Sequence, residues 1–291
     1  MKKELIVQRD PKSPISEVFR TLRTNIQFMN AKNNLKTVLI TSTMPGEGKS
    51  WVSSNLAVTF AQAGKKVILV DADMRKGRQY SIFGETPRPG LSNYLSGVGF
   101  EEDAADSNGI YNYIRETEID NLYLIVAGDI PPNPSELLSS SQMIDLLQKL
   151  KEEFDVVIVD GTPSQLVTDA LILARLVDST VIVTASKQTK KEDLKKIVNN
   201  IKNIGGDISG VIVNKIPISP KKYEQSYYYG SKTIKSNPTN VKKTPSSRKI
   251  KNDELPKALK SRIQIENGEK ISKEKTNEIF QQINEYMDSK K

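Results

Sequence analysis

The sequence predicts an α/β fold, a mostly parallel β-sheet flanked by helices on both faces, with a disordered basic tail behind it. Three observations predict it. Short runs rich in Val and Ile recur through the first 217 residues, and segments of helical period lie between them. Strand–helix alternation of this kind is the pattern of a parallel sheet covered on both sides. The stretches with the most chemistry stand at the carboxyl ends of those runs, where open α/β sheets bind ligands. Beyond Pro217 apolar residues become too sparse to build a core.

In chain order, Ser13-Pro14 opens a helix, with Ser as N-cap and Pro in the first turn. Phe19, Leu22, Ile26 and Met29 fall on one face of it. Glu17, Arg20 and Arg23, three apart, form an adjacent charged stripe. Such a stripe is either a solvated face or an ion-pairing contact with a second copy. Lys36 to Thr43 reads as the first strand and Ser50 to Ala63 as a helix stopped by Gly64.

Between them runs Thr43-Met44-Pro45-Gly46-Glu47-Gly48-Lys49-Ser50. Strand, glycine loop and helix N-terminus together make a phosphate cradle, because loop amides and the helix dipole both favour an anion. Lys49 reaches β/γ-phosphates and the Ser50 hydroxyl can bind Mg²⁺. The match to G-x-x-x-x-G-K-[ST] departs at Thr43, which stands in the place of the first Gly. The plain alternative is an ordinary turn before a helix. Gly-Lys-Ser between a strand and a helix disfavours it.

Lys66 to Asp73 reads as a buried strand with Asp71 and Asp73 at its end, alternating and so facing the same side, and Arg75 follows. From Lys76 to Asn121 the pattern is less regular: Gly90 to Leu95 reads as a short helix and Asn108 to Glu118 as variable surface. Leu122 to Val126 is a strand, and a helix is expected from about Ser135 to Glu153 after the Pro-rich turn. Phe154 to Pro163 is a further aliphatic strand ending in Asp160, the pattern of a carboxylate that holds Mg²⁺ or its water. Gln165 to Val177 reads as a helix, Thr180 to Thr184 as a strand, Lys190 to Ile204 as a Lys-rich amphipathic helix, and Ile208 to Asn214 as the last strand.

The chain has no Cys and no His. That excludes disulfides, thiolate metal sites and Cys or phospho-His routes, and leaves carboxylate, Lys or Tyr as proton acceptors near neutral pH. Met1 to Asp10 lacks the apolar run of a secretion signal, and no run approaches the roughly 18–20 residues needed to span a bilayer. A soluble chain is expected. The net charge is +8, and the stretch from Pro217 to the end carries 17 Lys and Arg against 9 Asp and Glu, a surplus equal to the whole. Basicity confined to a polar tail points to a solvated segment or an anionic membrane surface rather than to nucleic acid. Within it, Tyr223 and Tyr227 to Tyr229 stand in a polar, basic setting, and three consecutive tyrosines cannot all face one core.

Taken together, Thr43 to Ser50, Ile68 to Arg75, Val157 to Asp160, the Glu17-x-x-Arg20-x-x-Arg23 stripe and the tyrosine cluster resemble the bacterial tyrosine kinases of capsular and exopolysaccharide systems. The resemblance covers most of Ile15 to Tyr229. It implies a P-loop fold of the MinD/ParA group, with ATP and Mg²⁺ as cofactors. Pro45, Gly46, Glu47, Gly48, Lys49, Ser50, Trp51, Arg75 and Asn214 would contact the nucleotide. Ser50, Asp73 and Asp160 would hold Mg²⁺, and Lys49, Asp71, Asp73 and Asp160 would serve transfer, with Asp71 positioning or deprotonating a tyrosine hydroxyl. Tyr223, Tyr227, Tyr228 and Tyr229 would accept phosphate from a neighbour, and Glu17, Arg20 and Arg23 would hold a homo-oligomeric ring. A transmembrane adaptor of the chain-length-regulator type, keeping the kinase at the inner face of the membrane, and a cognate tyrosine phosphatase are the implied partners.

The implied organisation is an oligomerisation region at 1–35, a kinase domain at 36–217, a tyrosine cluster at 218–230 and the basic tail at 231–291. Gly161-Thr162-Pro163 after Asp160, Trp51 after Ser50, and a tail running about 60 residues past Gly230 depart from the family pattern. The competing reading is a MinD/ParA-like positioning ATPase without kinase activity. Such proteins usually carry a signature Lys early in the loop, where this chain has Thr43 and Met44.

Overall fold

The computed structural model of the protein describes residues 4–33, 35–97 and 109–217. The tyrosine cluster and the basic tail therefore lie outside the described residues. The elements run α1 (Ile6–Arg9), α2 (Pro14–Asn33), β1 (Thr37–Ser42), α3 (Lys49–Ala61), β2 (Val67–Asp71), α4 (Gln79–Phe83), α5 (Leu91–Ser96), β3 (Arg115–Glu116), β4 (Leu122–Ile125), α6 (Pro134–Leu138), α7 (Ser141–Glu153), β5 (Val156–Pro163), α8 (Asp169–Leu176), β6 (Ser179–Ala185), α9 (Lys191–Asn203) and β7 (Ile208–Asn214). Seven strands form one sheet in the order β3-β4-β2-β5-β1-β6-β7. Only the short β3 runs antiparallel, against β4.

Side-chain alternation divides the core in two. Val38 and Ile40 of β1, Leu69 of β2 and Ile158 of β5 pack with α2 and α3 on one face. Leu39, Ile68, Val70, Val157 and Val159 pack with α7, α8 and α9 on the other. Strands buried on both faces read as continuous aliphatic runs, which is why their positions are plain in the sequence. The β1–β5 and β2–β5 pairings set the carboxyl ends of three strands side by side, with Asp71 directly opposite Asp160.

The structure departs from the sequence reading where local chemistry overrides period. The helix expected from Ser135 to Glu153 is two helices. Ser139-Ser140-Ser141 breaks it: the Ser140 hydroxyl donates to the Leu137 carbonyl at 2.7 Å and accepts from the Met143 amide at 3.3 Å. Serine hydroxyls compete with helical bonding in this way and prefer caps. The helix expected from Gln165 begins only at Asp169, because the Ser164 and Gln165 amides bond the Ser42 and Thr43 carbonyls and hold that stretch against the phosphate loop. Strand β2 ends at Asp71, so Asp73 sits in a turn rather than on an extended strand. The stretch read as variable surface contributes core residues Ile110 and Tyr113 and the edge strand β3. Leu5 and Val7 are buried as well, and the Val7 amide donates to Asn55 Oδ1 of α3 at 3.1 Å.

Asp178, in the turn before β6, ties the far end of the sheet together. Its Oδ2 accepts the amides of Lys36 and Thr37, each at 2.8 Å, and its Oδ1 accepts Lys151 Nζ of α7 at 2.6 Å. Burial alone would raise its pKa, but Lys151 and the Thr37 and Lys36 amides outweigh burial and hold it below the ordinary 3.8. A depressed folded-state pKa adds stability above the unfolded value, and that stability is lost as pH falls through the folded one. Asp178→Asn is expected to lower stability at pH 7 by roughly 1–3 kcal/mol. The gap between variant and parent should narrow below about pH 4. Thermal melts of both proteins from pH 7 to pH 3 check this; a gap that stays constant on acidification contradicts it.

Candidate active site at the carboxyl ends of the parallel strands

The loop between β1 and α3 is held open by its own side chains. Gly46 and Gly48 take φ of +80° and +97°. A Cβ at Gly48 would lie 2.2 Å from Asn214 Nδ2, so glycine is required there for space as well as for φ. Thr43, in the place of the first Gly, supports the loop through its hydroxyl, which donates to both oxygens of Glu47, at 2.5 and 2.6 Å. The Met44 amide and the Thr189 hydroxyl donate to the same carboxylate. Glu47 is therefore buried as the loop's internal brace. Asn214, at the end of β7, donates Nδ2 to the Glu47 carbonyl at 2.8 Å and pins the loop from the other side.

Lys49 opens α3 and points into a cluster of carboxylates. Its Nζ lies 2.9 Å from Asp73 Oδ2, 3.6 Å from Asp160 Oδ1 and 3.2 Å from Ser50 Oγ. Burial disfavours the charge on Lys49, but Asp160, Asp73 and Asp71 outweigh it and hold its pKa above the usual 10.5. Asp160 also accepts Ser53 Oγ at 3.1 Å and Gln79 Nε2 at 2.8 Å. Asp71 accepts the Gln79 amide at 2.9 Å and the Asp73 amide at 3.3 Å. Burial, then the neighbouring Asp160, pushes Asp71 up to about 7, against the pull of Lys49. A carboxyl that titrates near neutrality is matched to accepting a proton in turnover. Gly77 permits this packing, since a Cβ there would lie 2.9 Å from Asp71 Oδ2 and 2.5 Å from Ala127 Cβ.

A cavity of about 320 Å³ opens beside the loop, lined among others by Pro45, Ser50, Trp51, Thr162, Pro163 and Leu166. Trp51 meets Phe19 of α2 edge-on, with ring centroids 5.1 Å apart. Arg75 lines the cavity but is held by Asp169, which accepts Nε at 2.8 Å and Nη2 at 3.0 Å and also the Ser135 hydroxyl at 2.6 Å. Among the described residues no three carboxylates alone could hold a metal. A Ser hydroxyl beside carboxylates instead suits Mg²⁺ arriving with phosphates and keeping several waters. Two buried polar atoms here, Gln79 Oε1 and Thr162 Oγ1, lack any partner within the protein, and Thr162 lines the cavity.

The structure thus brings Lys49, Ser50, Asp71, Asp73, Asp160 and Asn214 to one place, with Trp51 and Arg75 at the cavity wall. The charged stripe on α2 lies elsewhere and is split. Arg20 pairs with Glu17 and donates Nη2 to the Pro11 carbonyl at 2.6 Å, whereas Arg23 turns inward and donates Nη1 to the Thr59 carbonyl of α3 at 2.9 Å. Tyr223 and Tyr227 to Tyr229 lie outside the described residues. Sequence reasoning missed Gln79, Thr189, Ser135 and Asp169 as partners of the site. None stands in a motif, and each arrives through a different element.

Comparison with known proteins agrees with this geometry. A family model for the AAA domain matches residues 17–212, a stretch that holds the phosphate loop, both aspartate-bearing strands and most of α2. The tyrosine-protein kinase YwqD of Bacillus subtilis is 39% identical over 232 residues, covering 80% of this chain and 93% of that protein. Among solved structures, the chimerical protein CapA2B2 superposes with a TM-score of 0.68 at 39% identity, over 74% of this chain and 91% of that one. The cell division ATPase MinD of Pyrococcus furiosus, at 23% identity and a TM-score of 0.51 over 66% and 79%, shares the fold alone. With its P-loop, its paired aspartates and 39% identity over 93% of a tyrosine-protein kinase, the chain belongs to the bacterial tyrosine-protein kinases.

Proposed function

We propose that the chain transfers the γ-phosphoryl group of ATP to tyrosine, taking as its first acceptors Tyr223, Tyr227, Tyr228 and Tyr229 of a neighbouring copy. The observation that carries this reading is the place of Asp71: buried, directly opposite Asp160, and set at the strand end beside the phosphate loop. A buried carboxyl at this place can take the proton of an attacking phenol as it could that of a water, and the 39% identity over 93% of a tyrosine-protein kinase favours the phenol.

Loop amides and Lys49 hold the phosphates. Ser50, Asp73 and Asp160 are the residues that would hold Mg²⁺. When bound, the ion draws charge from the phosphate oxygens and opens the γ-phosphorus to attack. The tyrosine oxygen forms the new O–P bond, and the bond from γ-phosphorus to the bridging oxygen breaks. The electron pair leaves with ADP, and the phenolic proton passes to Asp71. Lys49 meets the charge that grows on the leaving phosphate.

The rest of the reading follows the family resemblance. Protomers assemble as a ring, and the outward Glu17–Arg20 pair is the part of the stripe available to a neighbour. No described helix is long and apolar enough to cross a membrane, so in this reading a transmembrane adaptor supplies the anchor at the inner face. The pathway served is synthesis and export of capsular or exopolysaccharide, with a tyrosine phosphatase resetting the kinase. Several phosphates on adjacent tyrosines, each about −1.5 to −2 in charge, would leave a carboxylate-lined site and loosen the ring.

With its adaptor's cytoplasmic segment and ATP, the protein should gain phosphate on Tyr227 to Tyr229, read by mass spectrometry. ATP hydrolysis with no phosphotyrosine would return the chain to a positioning ATPase. Asp71→Asn should lower transfer by about 10²–10⁴-fold while nucleotide binding persists. Transfer at the parent rate would remove Asp71 from its role. Arg20→Glu should give a monomer in light scattering that still binds ATP, since Arg20 makes no contact with the site. Arg23→Ala should instead lower the melting temperature, by roughly 1–3 kcal/mol of stability, through the lost bond to α3. An unchanged mass for Arg20→Glu would demote the stripe to a solvated face.

A further inference from the structure

Gln79, the first residue of α4, belongs to no motif, yet it touches three parts of the site. It is fully buried. Its backbone amide donates to Asp71 Oδ2 at 2.9 Å. Its side-chain Nε2 donates to Asp160 Oδ2 at 2.8 Å and to the Ser50 carbonyl at 3.1 Å. The two aspartates are direct neighbours across β2 and β5, and one glutamine therefore bonds both. The amide orientation follows from its surroundings. Reversed, it would set a carbonyl oxygen against a carboxylate and a second carbonyl, three acceptors with no donor.

In the orientation that satisfies Nε2, the other end of the amide, Oε1, is buried with no partner in the protein. Most buried acceptors in folded proteins are bonded, and an exception at a site asks for the missing donor. Mg²⁺ bound with nucleotide keeps several waters, and each is a strong donor. Outer groups that orient a metal's ligands act in this way at many sites.

We propose that Gln79 is a positioning residue with two separable roles. Its N–H groups hold Asp160 and Asp71 in place, and its Oε1 accepts a hydrogen bond from a water carried by Mg²⁺. This rests on the magnesium–nucleotide reading of the site and not on transfer to tyrosine.

Trp51, the chain's single tryptophan, follows Ser50 and lines the cavity, so its fluorescence reports occupancy there. MgCl₂ is titrated into the full chain with ADP present, and ADP into the chain in EDTA. Gln79→Met keeps size but removes donor and acceptor; it should shift the magnesium midpoint upward about tenfold and leave metal-free ADP affinity unchanged. Gln79→Glu keeps the acceptor and loses the donor; its magnesium midpoint should stay at or below that of the parent, while turnover with ATP falls at least about tenfold at saturating Mg²⁺. Should Gln79→Met fail to fold by circular dichroism, Gln79→Glu decides alone, and parent-like turnover in it overturns the proposal. An unmoved magnesium midpoint in folded Gln79→Met does the same. A parent chain with no magnesium response sinks the metal reading itself, and this inference with it.

Discussion

One buried lysine stands among three buried carboxylates at the edge of a cavity, and most of the architecture serves that arrangement. Lys49, Asp71, Asp73 and Asp160 are all buried. Buried charges are costly unless paired and hydrogen-bonded. The pairing here demands that β2, β5 and β1 be adjacent and in register at their carboxyl ends, because each delivers one part of the cluster. Parallel strands alone bring three such ends to one side, and the helices that connect them bury both faces of the sheet. A single cation facing three acids also leaves the cluster poised to take a divalent ion. Burial first, and then the neighbouring Asp160, drive the pKa of Asp71 up toward neutrality.

The loop that presents Lys49 is braced from inside rather than by glycine alone. Thr43, Met44 and Thr189 all donate to Glu47, and Asn214 takes the Glu47 carbonyl. These contacts join the phosphate loop to the β6–α9 turn and to the end of β7. The end of β7 is therefore tied through Asn214 to the same loop that presents Lys49. On the opposite side Trp51 packs on Phe19, so α2 is tied to the first turn after Ser50. The helix that carries the Glu17–Arg20 pair thus contacts the helix that follows the phosphate loop at two points, the Trp51 ring and the Arg23 bond to Thr59.

Much of the fold was legible because its signals are local. Val38-Leu39-Ile40, Val67 to Val70 and Val156 to Val159 are aliphatic runs whose burial on both faces leaves no ambiguity of period. Gly48-Lys49-Ser50 and the terminal aspartates are legible for the same reason, since a phosphate cradle and a metal-side carboxylate need particular residues at particular offsets. The errors fell where one side chain redirected the backbone. Ser140 split a long helix, and backbone bonding of Ser164 and Gln165 to the phosphate loop delayed another. Arg23, read with Glu17 and Arg20 as one charged stripe, also donates to the Thr59 carbonyl of α3, a contact that spacing alone does not show.

The sequence by itself determined the class of fold, the phosphate loop, the acidic strand ends and the family, because each is written in contiguous residues. Tertiary structure decided which charges are shared. Asp71 and Asp160 are 89 positions apart in the chain and become neighbours only through the order of the sheet. Gln79 joins them only because α4 folds back over both strands, and Asp169 fixes Arg75 only because α8 begins beside the turn after β2. Hydrogen bonds and Coulomb forces act over a few ångströms of space, whatever the separation along the chain. The pKa of Asp71 and the placement of its partners therefore exist only in the folded protein.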